Sequence, residues 1–296
     1  MPPATPTGRT VTAMGNASDG PVGDDPVYAV YAVLYAERDA QRSQHFHADF
    51  PPGADDAHDD RHEDAAMPMA YYVWAVVGPD STWVVDTGFT LDDAERRGRR
   101  LLRTADEALA LIGVDAASAS DVVITHLHYD HVGGFGRFPA ARFHVQDREV
   151  AFATGRHMTT HEQRRAYTPQ HVADVVLAVH ADRVVFHDGD AELAPGLTVH
   201  HVGGHTDGLQ VVRVRTDVGW VVLASDAAHY YENLDARRPF PIVFDVDAML
   251  AGFDRVIALA GPDGTWVPGH DPDVLRRFEP AGPGLDGVAV RLDRPR

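Results

Sequence analysis

The sequence contains no cysteine among its 296 residues. This absence excludes disulfide bonds and thiolate ligands, so any metal site must use imidazole nitrogens and carboxylate oxygens. Histidine, in contrast, is abundant, with 18 residues. A metal site must therefore be sought among histidine, aspartate and glutamate.

Lysine is also absent, and all 26 basic residues are arginine, against 44 acidic residues. The formal net charge is −18. A field of this sign repels nucleic acids and anionic membrane surfaces, because binding to either requires basic side chains that neutralise phosphates. We therefore expect neither a nucleic-acid nor a membrane partner, and a weak preference for neutral or cationic small molecules.

The chain lacks an apolar run long enough to span a membrane, and its start lacks the apolar core of a signal peptide. Residues 1–26 are rich in proline, glycine, serine and threonine, and we expect them to be a disordered tail of a cytoplasmic protein. Residues 27–296 are predicted as a single domain, in which the polar, acidic segment 38–66 is a loop or an active-site lid. The histidines of this segment are expected to be solvated: His45, His47, His58 and His62.

Strand patterns alternate with helical patterns along the domain. Strands are predicted over 27–35, 70–77, 81–86, 142–145, 183–187, 197–202, 209–215 and 219–225, with one more before the histidine-rich motif described next. Helices are predicted over 91–112, 147–154, 161–176, 245–259 and 272–278, with His171 on a helix surface. Strands followed by helices, in an order that recurs in each half, favour an α/β fold of two mixed sheets with helices outside.

The densest group of candidate ligands lies in residues 122–134, which read VVITHLHYDHVGG. An apolar strand ends here, and His126, His128, Asp130 and His131 then fall within six residues. In an extended segment residues two apart point the same way, so His126 and His128 can bind one ion together. The two glycines allow a tight turn, and Asp130 and His131 can then face a second ion.

Four further motifs place a histidine or aspartate at the end of a strand. His205 follows a strand and two glycines, and Asp226 ends an apolar strand whose carboxylate can bridge two ions. His270 ends a short strand, and Asp86 ends another strand upstream of the histidine-rich motif. Alone, each residue is more often a hydrogen-bonded surface residue than a ligand, but five motifs in order make a specific pattern.

The pattern HxHxDH resembles the signature of the dinuclear hydrolases with the metallo-β-lactamase fold. This resemblance implies an αβ/βα sandwich of two mixed β-sheets flanked by helices. It also implies two divalent cations, with zinc as the default and manganese, iron, cobalt or nickel also suited to imidazole and carboxylate ligands.

The resemblance further assigns roles to residues of this chain. It places one ion on His126, His128 and His205, a second ion on Asp130, His131 and His270, and Asp226 between the two. Asp86 would orient a ligand histidine through a hydrogen bond. Asp130 could also pass a proton to the leaving group, and the reaction implied is hydrolysis by a hydroxide that bridges the ions.

The local sequence around Asp226 and His270 looks like the N-acyl homoserine lactonase branch, whose members open a lactone ring and quench bacterial quorum sensing. That branch usually has a tyrosine three residues after the bridging aspartate, whereas this chain has His229 there and Tyr230 next. Either residue could contact the substrate. An apolar slot for a neutral lactone could be lined by Met67, Met69, Tyr71, Tyr72, Trp74 and Phe240, although the 70–77 strand could equally be core.

Other members of this superfamily fit the sequence less well. A glutathione thioester hydrolase would need a basic helical region after His270, a β-lactam hydrolase generally lacks the carboxylate of Asp226, and a nuclease would need a basic surface. Hydrolysis of another lactone, ester or thioester remains the main alternative, and a non-catalytic metal-binding module is a weaker one. The sequence is compatible with a homodimer.

Overall fold

The computed structural model describes residues 26–47, 50 and 65–296. Apart from Pro26, the tail predicted over residues 1–26 lies outside the described residues. Most of the loop or lid predicted over 38–66 also lies outside them, including His58 and His62.

The described residues contain β-strands in two sheets. The strands are β1 (Ala29–Arg38), β2 (Met69–Val77), β3 (Thr82–Val85), β4 (Arg100–Leu101), β5 (Asp121–Val123), β6 (Arg142–Gln146), β7 (Val184–His187), β8 (Ala191–Ala194), β9 (Leu197–His201), β10 (Gln210–Thr216), β11 (Gly219–Ser225), β12 (Thr265–Pro268), β13 (Phe278–Pro280) and β14 (Ala289–Pro295).

Helices cover the outer faces of both sheets. They are α1 (Leu91–Arg97), α2 (Ala105–Ala110), α3 (Tyr129–Val132), α4 (Asp147–Thr154), α5 (His161–Arg164), α6 (Pro169–His180), α7 (Tyr231–Asp235), α8 (Val246–Ala260) and α9 (Val274–Arg277). Short 3-10 turns occur at Arg42–Gln44, Phe135–Arg137 and Arg156–Thr159.

Both sheets are mixed. The larger sheet has the order β13-β14-β1-β2-β3-β5-β6-β7, with β4 also paired to β1. Its pairs are antiparallel up to β3 and parallel from β3 to β7. The smaller sheet, β12-β11-β10-β9-β8, is antiparallel except for the parallel pair β11–β12. The predicted αβ/βα sandwich is confirmed.

Three apolar layers separate the sheets and helices, and β2 shows how one strand serves two of them. Tyr72 and Trp74 point into the layer between the two sheets, together with Leu223 of β11. Met69 and Tyr71 point to the opposite face, where the first helices pack. This division follows from the period of two in a strand, which sends successive side chains to opposite faces.

The candidate ligands lie beyond strand ends that meet at one edge of the sandwich. Parallel pairing brings the carboxyl ends of β3 and β5 together, and likewise those of β11 and β12. Buried Gln210 of β10 joins the two sheets at this edge, because its backbone N–H donates to Thr125 O (3.0 Å) and its side chain donates to Ile124 O (2.8 Å). The motifs that are remote in sequence therefore converge in space.

Two helices are shorter than the sequence predicts. The helix expected over 91–112 ends at Arg97, because Gly98 adopts a left-handed conformation (φ 62°) that closes the helix. The chain then pairs with β1 as β4 before α2 begins. The helix expected over 161–176 is divided into α5 and α6, and the break occurs just before Pro169, which starts α6. Strands β8, β13 and β14 and helix α7 were not predicted.

A buried aspartate fastens α1 to α6. Asp93 accepts hydrogen bonds from His171 Nε2 (2.7 Å), Thr168 Oγ1 (2.9 Å) and Thr90 Oγ1 (2.7 Å). His171 is therefore buried and not on the helix surface as predicted. Burial alone would raise the pKa of Asp93, but these hydrogen bonds outweigh it and hold the pKa well below its usual range.

Replacement of Asp93 by asparagine removes an ionised acceptor from this cluster. We expect Asp93→Asn to lower the free energy of unfolding by about 2 kcal/mol at pH 7, the scale of hydrogen bonds to a charged group. Because the folded-state pKa lies below the unfolded value, this contribution is complete above about pH 4 and is lost as the pH falls further. The difference between the two proteins should therefore narrow from pH 7 to pH 3 in urea unfolding.

Asp92→Asn, an exposed change in the same helical turn, is the control and should alter the stability little. Equal losses in the two variants, or a loss in Asp93→Asn that does not depend on pH, would contradict the assigned role.

Candidate metal centre

Seven predicted ligands meet at the edge where the strands end. They form two neighbouring groups of nitrogen and oxygen atoms, which comprise His126, His128, His205 and Asp226 in one and Asp130, His131 and His270 in the other. All are buried except Asp130, which is partly exposed. Within each group the candidate ligand atoms lie within 4.8 Å of one another.

The first group is arranged around Oδ2 of Asp226. This oxygen lies 3.2 Å from His205 Nε2 and 3.8 Å from His126 Nε2. His205 Nε2 is in turn 2.9 Å from His128 Nδ1, so His128 faces the centre with Nδ1, whereas His126 and His205 face it with Nε2.

The second group is arranged around Oδ1 of the same carboxylate. This oxygen lies 3.1 Å from His270 Nε2 and 3.3 Å from His131 Nε2. The oxygens of Asp130 are 3.8 and 3.9 Å from these two nitrogens. Each oxygen of Asp226 therefore faces a different group, which is the arrangement required of a residue that bridges two ions.

The outer nitrogens of three histidines are bound to acceptors. His131 Nδ1 lies 2.7 Å from Asp86 Oδ2, His205 Nδ1 lies 2.6 Å from Ile242 O, and His270 Nδ1 lies 2.9 Å from Ala70 O. Since these partners accept, each Nδ1 carries a hydrogen, and Nε2 is the nitrogen left to bind a cation. The rings are thus held in the tautomer that a metal requires.

The centre fits divalent cations. Among the described residues, His126 Nε2, His131 Nε2 and Asp226 Oδ1 are buried without a hydrogen-bond partner. Buried polar atoms are otherwise almost always paired, so unpaired ligand atoms in both groups fit the binding of divalent cations. Imidazole and carboxylate donors are compatible with zinc and with manganese, iron, cobalt and nickel.

The charges of the centre are also those of a metal site. Burial, followed by neighbouring imidazoles, lowers the pKa of His126 well below its ordinary value, which keeps the ring neutral as a ligand must be. Burial would lower the pKa of His131 too, but the carboxylates of Asp226, Asp86 and Asp130 outweigh it and raise the pKa. The second group therefore attracts positive charge.

Asp86, predicted to support a ligand histidine, accepts three hydrogen bonds. Besides His131 Nδ1, it accepts the backbone N–H of Thr125 (2.8 Å) and the Thr125 hydroxyl (2.9 Å). Asp86 has a φ of 62°, and Ser225, which precedes Asp226, has a φ of 46°. Left-handed conformations at non-glycine residues are strained and concentrate at functional sites, which fits these two strand ends.

Glu149 of α4 supports the first group, a role that no pattern in the sequence indicated. The side chain is fully buried. One carboxylate oxygen accepts Leu127 N (2.9 Å) and Tyr167 OH (3.0 Å), and the other accepts Thr206 Oγ1 (2.6 Å) and Gly208 N (3.2 Å). Leu127 lies between two ligand histidines and Thr206 follows a third, so Glu149 ties their two loops together.

His229 and Tyr230 face different parts of the structure. His229 Nε2 lies 3.0 Å from Asp226 Oδ2, and its ring stacks on Phe240 at a centroid distance of 3.6 Å. The Tyr230 hydroxyl instead contacts His45 Nε2 (3.1 Å) and donates to Pro68 O (3.2 Å), away from the ligand groups. Of these two candidates for substrate contact, the structure thus brings only His229 to the centre.

A pocket opens onto the ligands, and its walls differ from the predicted apolar slot. Its lining besides ligands includes Arg38, Gln44, His45, Met69, Tyr71, Arg99, Tyr129, Ala166, His229, Pro241 and Ile242. Met69 and Tyr71 line it as predicted, but Tyr72 and Trp74 lie between the sheets, because they occupy the other face of β2. Phe240 is fully buried beneath His229. Met67 is partly buried against the core of the larger sheet.

His45 was expected to be solvated, but it is buried in the pocket wall. Its Nε2 lies 2.8 Å from Met67 O, and burial lowers its pKa to about 4. The acidic composition of the surrounding sequence predicts a solvated side chain, whereas the contacts that bury His45 come from residues distant in the sequence.

A family model described as the metallo-beta-lactamase superfamily matches residues 66–272, which include the complete ligand set. The chain belongs to this superfamily. It is a metal-dependent hydrolase with histidine and aspartate groups able to bind metal.

Similar proteins of the metallo-β-lactamase superfamily include hydrolases of known and unknown specificity. A protein named probable metallo-hydrolase of Mycobacterium tuberculosis is 27% identical over 242 residues, which cover 69% of this chain and 76% of that protein. An N-acyl homoserine lactonase of a Bacillus species is 28% identical over 153 residues, or 51% of this chain and 52% of the lactonase.

Solved structures of the superfamily share the fold. A quorum-quenching N-acyl homoserine lactone lactonase superposes with a TM-score of 0.67 at 21% identity, covering 83% of this chain and 94% of that one. AidC, described as a dizinc quorum-quenching lactonase, gives a TM-score of 0.64 at 18% identity, covering 84% and 92%. Among the described residues of this chain, no helix is long and apolar enough to cross a membrane.

The Glu149 contacts predict a role in metal affinity. In Glu149→Gln one oxygen becomes an NH₂ group that faces two donors. A hydroxyl can turn to accept from it, but the backbone N–H of Leu127 or Gly208 cannot. We expect the affinity for the first metal equivalent to fall about tenfold or more, as for other residues that orient ligands. Zn²⁺ titration by calorimetry would measure it.

Asp147→Asn, an exposed substitution in the first turn of the same helix, serves as the control. If Glu149→Gln binds zinc as tightly as Asp147→Asn does, Glu149 has no part in preparing the site.

Proposed function

We propose that this metallo-hydrolase opens lactone rings, and that N-acyl homoserine lactones are the substrates to test first. The observation that carries the proposal is the position of Asp226, whose two oxygens face two ligand groups beside a pocket that also contains His229. The lactonases among its relatives support the choice of substrate. Such an activity in a bacterial cytoplasm would quench quorum signals.

Two divalent cations, with zinc as the first choice, would supply Lewis acidity and a water of lowered pKa when bound. His126, His128 and His205 would hold one cation, and Asp130, His131 and His270 the other, with Asp226 between them. The chain itself supplies orientation: Asp86 and Glu149 hold the ligand loops in place before substrate arrives. Preorganised ligands avoid rearrangement during the reaction.

Asp130 and His229 are the groups best placed to act on the substrate. Asp130 is the most exposed of the ligands and lines the pocket, so its carboxylate can take the proton that the attacking water loses and pass it to the leaving alkoxide of the opened ring. His229 Nε2 lies 3.0 Å from Asp226 Oδ2, and an N–H on this nitrogen can donate to a substrate oxygen that binds beside the Asp226 carboxylate. His229 would then take the part for which related lactonases use tyrosine.

The activity is tested with metal-loaded protein and a panel of short- and long-chain acyl homoserine lactones, simple γ- and δ-lactones, a thioester and a β-lactam. We expect kcat/KM of about 10⁴ M⁻¹s⁻¹ or more for at least one acyl homoserine lactone. Asp226→Ala should reduce it by at least about a hundredfold, because both ligand groups lose their shared carboxylate. Turnover of other classes alone would refute the substrate assignment but not the metal centre.

Two adjacent substitutions separate the roles of His229 and Tyr230. His229→Leu should lower kcat about a hundredfold or more, the scale for removal of one positioned hydrogen-bond donor. Tyr230→Phe should leave kcat within about twofold, because its hydroxyl is engaged with Pro68 and His45. A large loss of kcat in Tyr230→Phe with unchanged zinc content would reverse this assignment.

A further inference from the structure

Two arginines line the pocket of an otherwise strongly acidic chain. Arg38 ends β1, and Arg99 immediately precedes β4. Both side chains are partly buried, and both border the cavity that contains Asp130, Asp226 and the ligand histidines. The pocket therefore carries two positive side chains beside its two carboxylates, although the chain as a whole has a net charge of −18.

Arg38 has no carboxylate partner among the residues that the structure describes. Its guanidinium donates to the amide oxygen of Gln44 (3.2 Å) and contacts the sulfur of Met69 (3.7 Å). Neither partner carries charge, so the positive charge of Arg38 is available to a ligand. By contrast, Arg42, four residues later in the chain, forms an ion pair with Glu232 through two hydrogen bonds.

Arg99 is similar. Its Nε donates to the hydroxyl of Tyr129 (3.0 Å), and Nη1 donates to the carbonyl of Arg97 (2.5 Å). Within the described ranges no carboxylate lies within ion-pair distance of it. Its neighbour Arg100 points away from the pocket and pairs with Glu37. Of these two consecutive arginines, Arg100 is therefore neutralised by Glu37, whereas the charge of Arg99 faces the pocket.

The charges of the pocket favour an anionic group on the substrate once metal is bound. The two arginines balance the carboxylates of Asp130 and Asp226, and two divalent cations would then leave an excess of positive charge. Partly buried cations without a counter-charge are unfavourable, and a guanidinium offers parallel donors that match a carboxylate. The remaining wall, with Met69, Tyr71 and Ile242, suits a short aliphatic stretch.

We infer that Arg38 and Arg99 bind a carboxylate on the substrate, at the end of a short acyl chain that is remote from the ester bond that is hydrolysed. This inference rests on the proposed lactone hydrolysis and narrows its substrate from a neutral amphiphile to an acid-terminated one. It replaces the preference for neutral or cationic molecules expected from the net charge, because contacts within a pocket outweigh the distant field of the surface.

The test compares two lactones of equal length, N-hexanoyl homoserine lactone and N-adipoyl homoserine lactone, whose acyl chain ends in a carboxylate. With metal-loaded wild-type protein we expect kcat/KM to be at least about tenfold higher for the adipoyl compound, the effect of a charge-assisted hydrogen bond. In the double variant Arg38→Gln/Arg99→Gln this ratio should fall to about one.

Two further variants control for indirect effects. Arg100→Gln removes a neighbouring charge that is outside the pocket, and it should retain the wild-type ratio. Arg99→Lys, made with Arg38 intact, keeps the charge but loses the paired N–H donors of the guanidinium. Its ratio of kcat/KM for the two lactones should lie between the ratios of the wild-type protein and the double variant. A ratio near one in the wild-type protein, or a high ratio that survives in the double variant, overturns the inference.

Failure of the proposed function gives a different result. If neither lactone is hydrolysed, calorimetric binding of the adipoyl compound to the metal-loaded protein decides the matter. Binding that is stronger than for the hexanoyl compound and is lost in the double variant supports the carboxylate site without the lactonase activity. Equal binding of the two compounds excludes it.

Discussion

The buried carboxylate of Asp226 is the constraint on which the rest of the site depends. It lies among imidazoles of both ligand groups and is almost entirely buried. An isolated charge there would be very unfavourable, and the cluster is stable only where positive charge compensates it. Burial raises the pKa of Asp226, but His270, His131 and His229 outweigh burial and lower the pKa below its usual range, so the carboxylate stays ionised. The fold must therefore deliver several rings to one carboxylate.

Parallel strand ends solve this problem with little additional structure. Asp86 follows β3, the histidine-rich motif follows β5, Asp226 follows β11, and His270 follows β12. Strand pairing brings together two of these loops in each sheet, and the packing of the two sheets, joined by Gln210, brings the two pairs together. Two further buried carboxylates then fix the loops, since Asp86 binds one ligand histidine and Glu149 binds the backbone beside three others. The hydrogen bonds of Asp86 also stabilise its left-handed backbone conformation at the end of β3.

The parts of the structure that follow from local rules could be predicted. The ligand set, the strand ends and the mixed sheets depend on short patterns, and the structure brings the predicted ligands together. The pocket depends on contacts between distant residues, so Glu149, His45 and the arginines carried no local signal. Tyr72 and Trp74 are a different case, because the alternation of β2 already places them on the face opposite Met69 and Tyr71.

The contrast between net charge and pocket charge shows why composition limits partners better than substrates. Nucleic acids and membranes meet the whole surface, where many like charges add up. A small substrate meets only the pocket, where dielectric screening is weak and single charges dominate. At Arg99 and Arg100 the chain places two equal charges one residue apart, and only the pairing of Arg100 with Glu37 distinguishes them. Counting charges along the sequence cannot detect that distinction, and it is the one that selects the ligand.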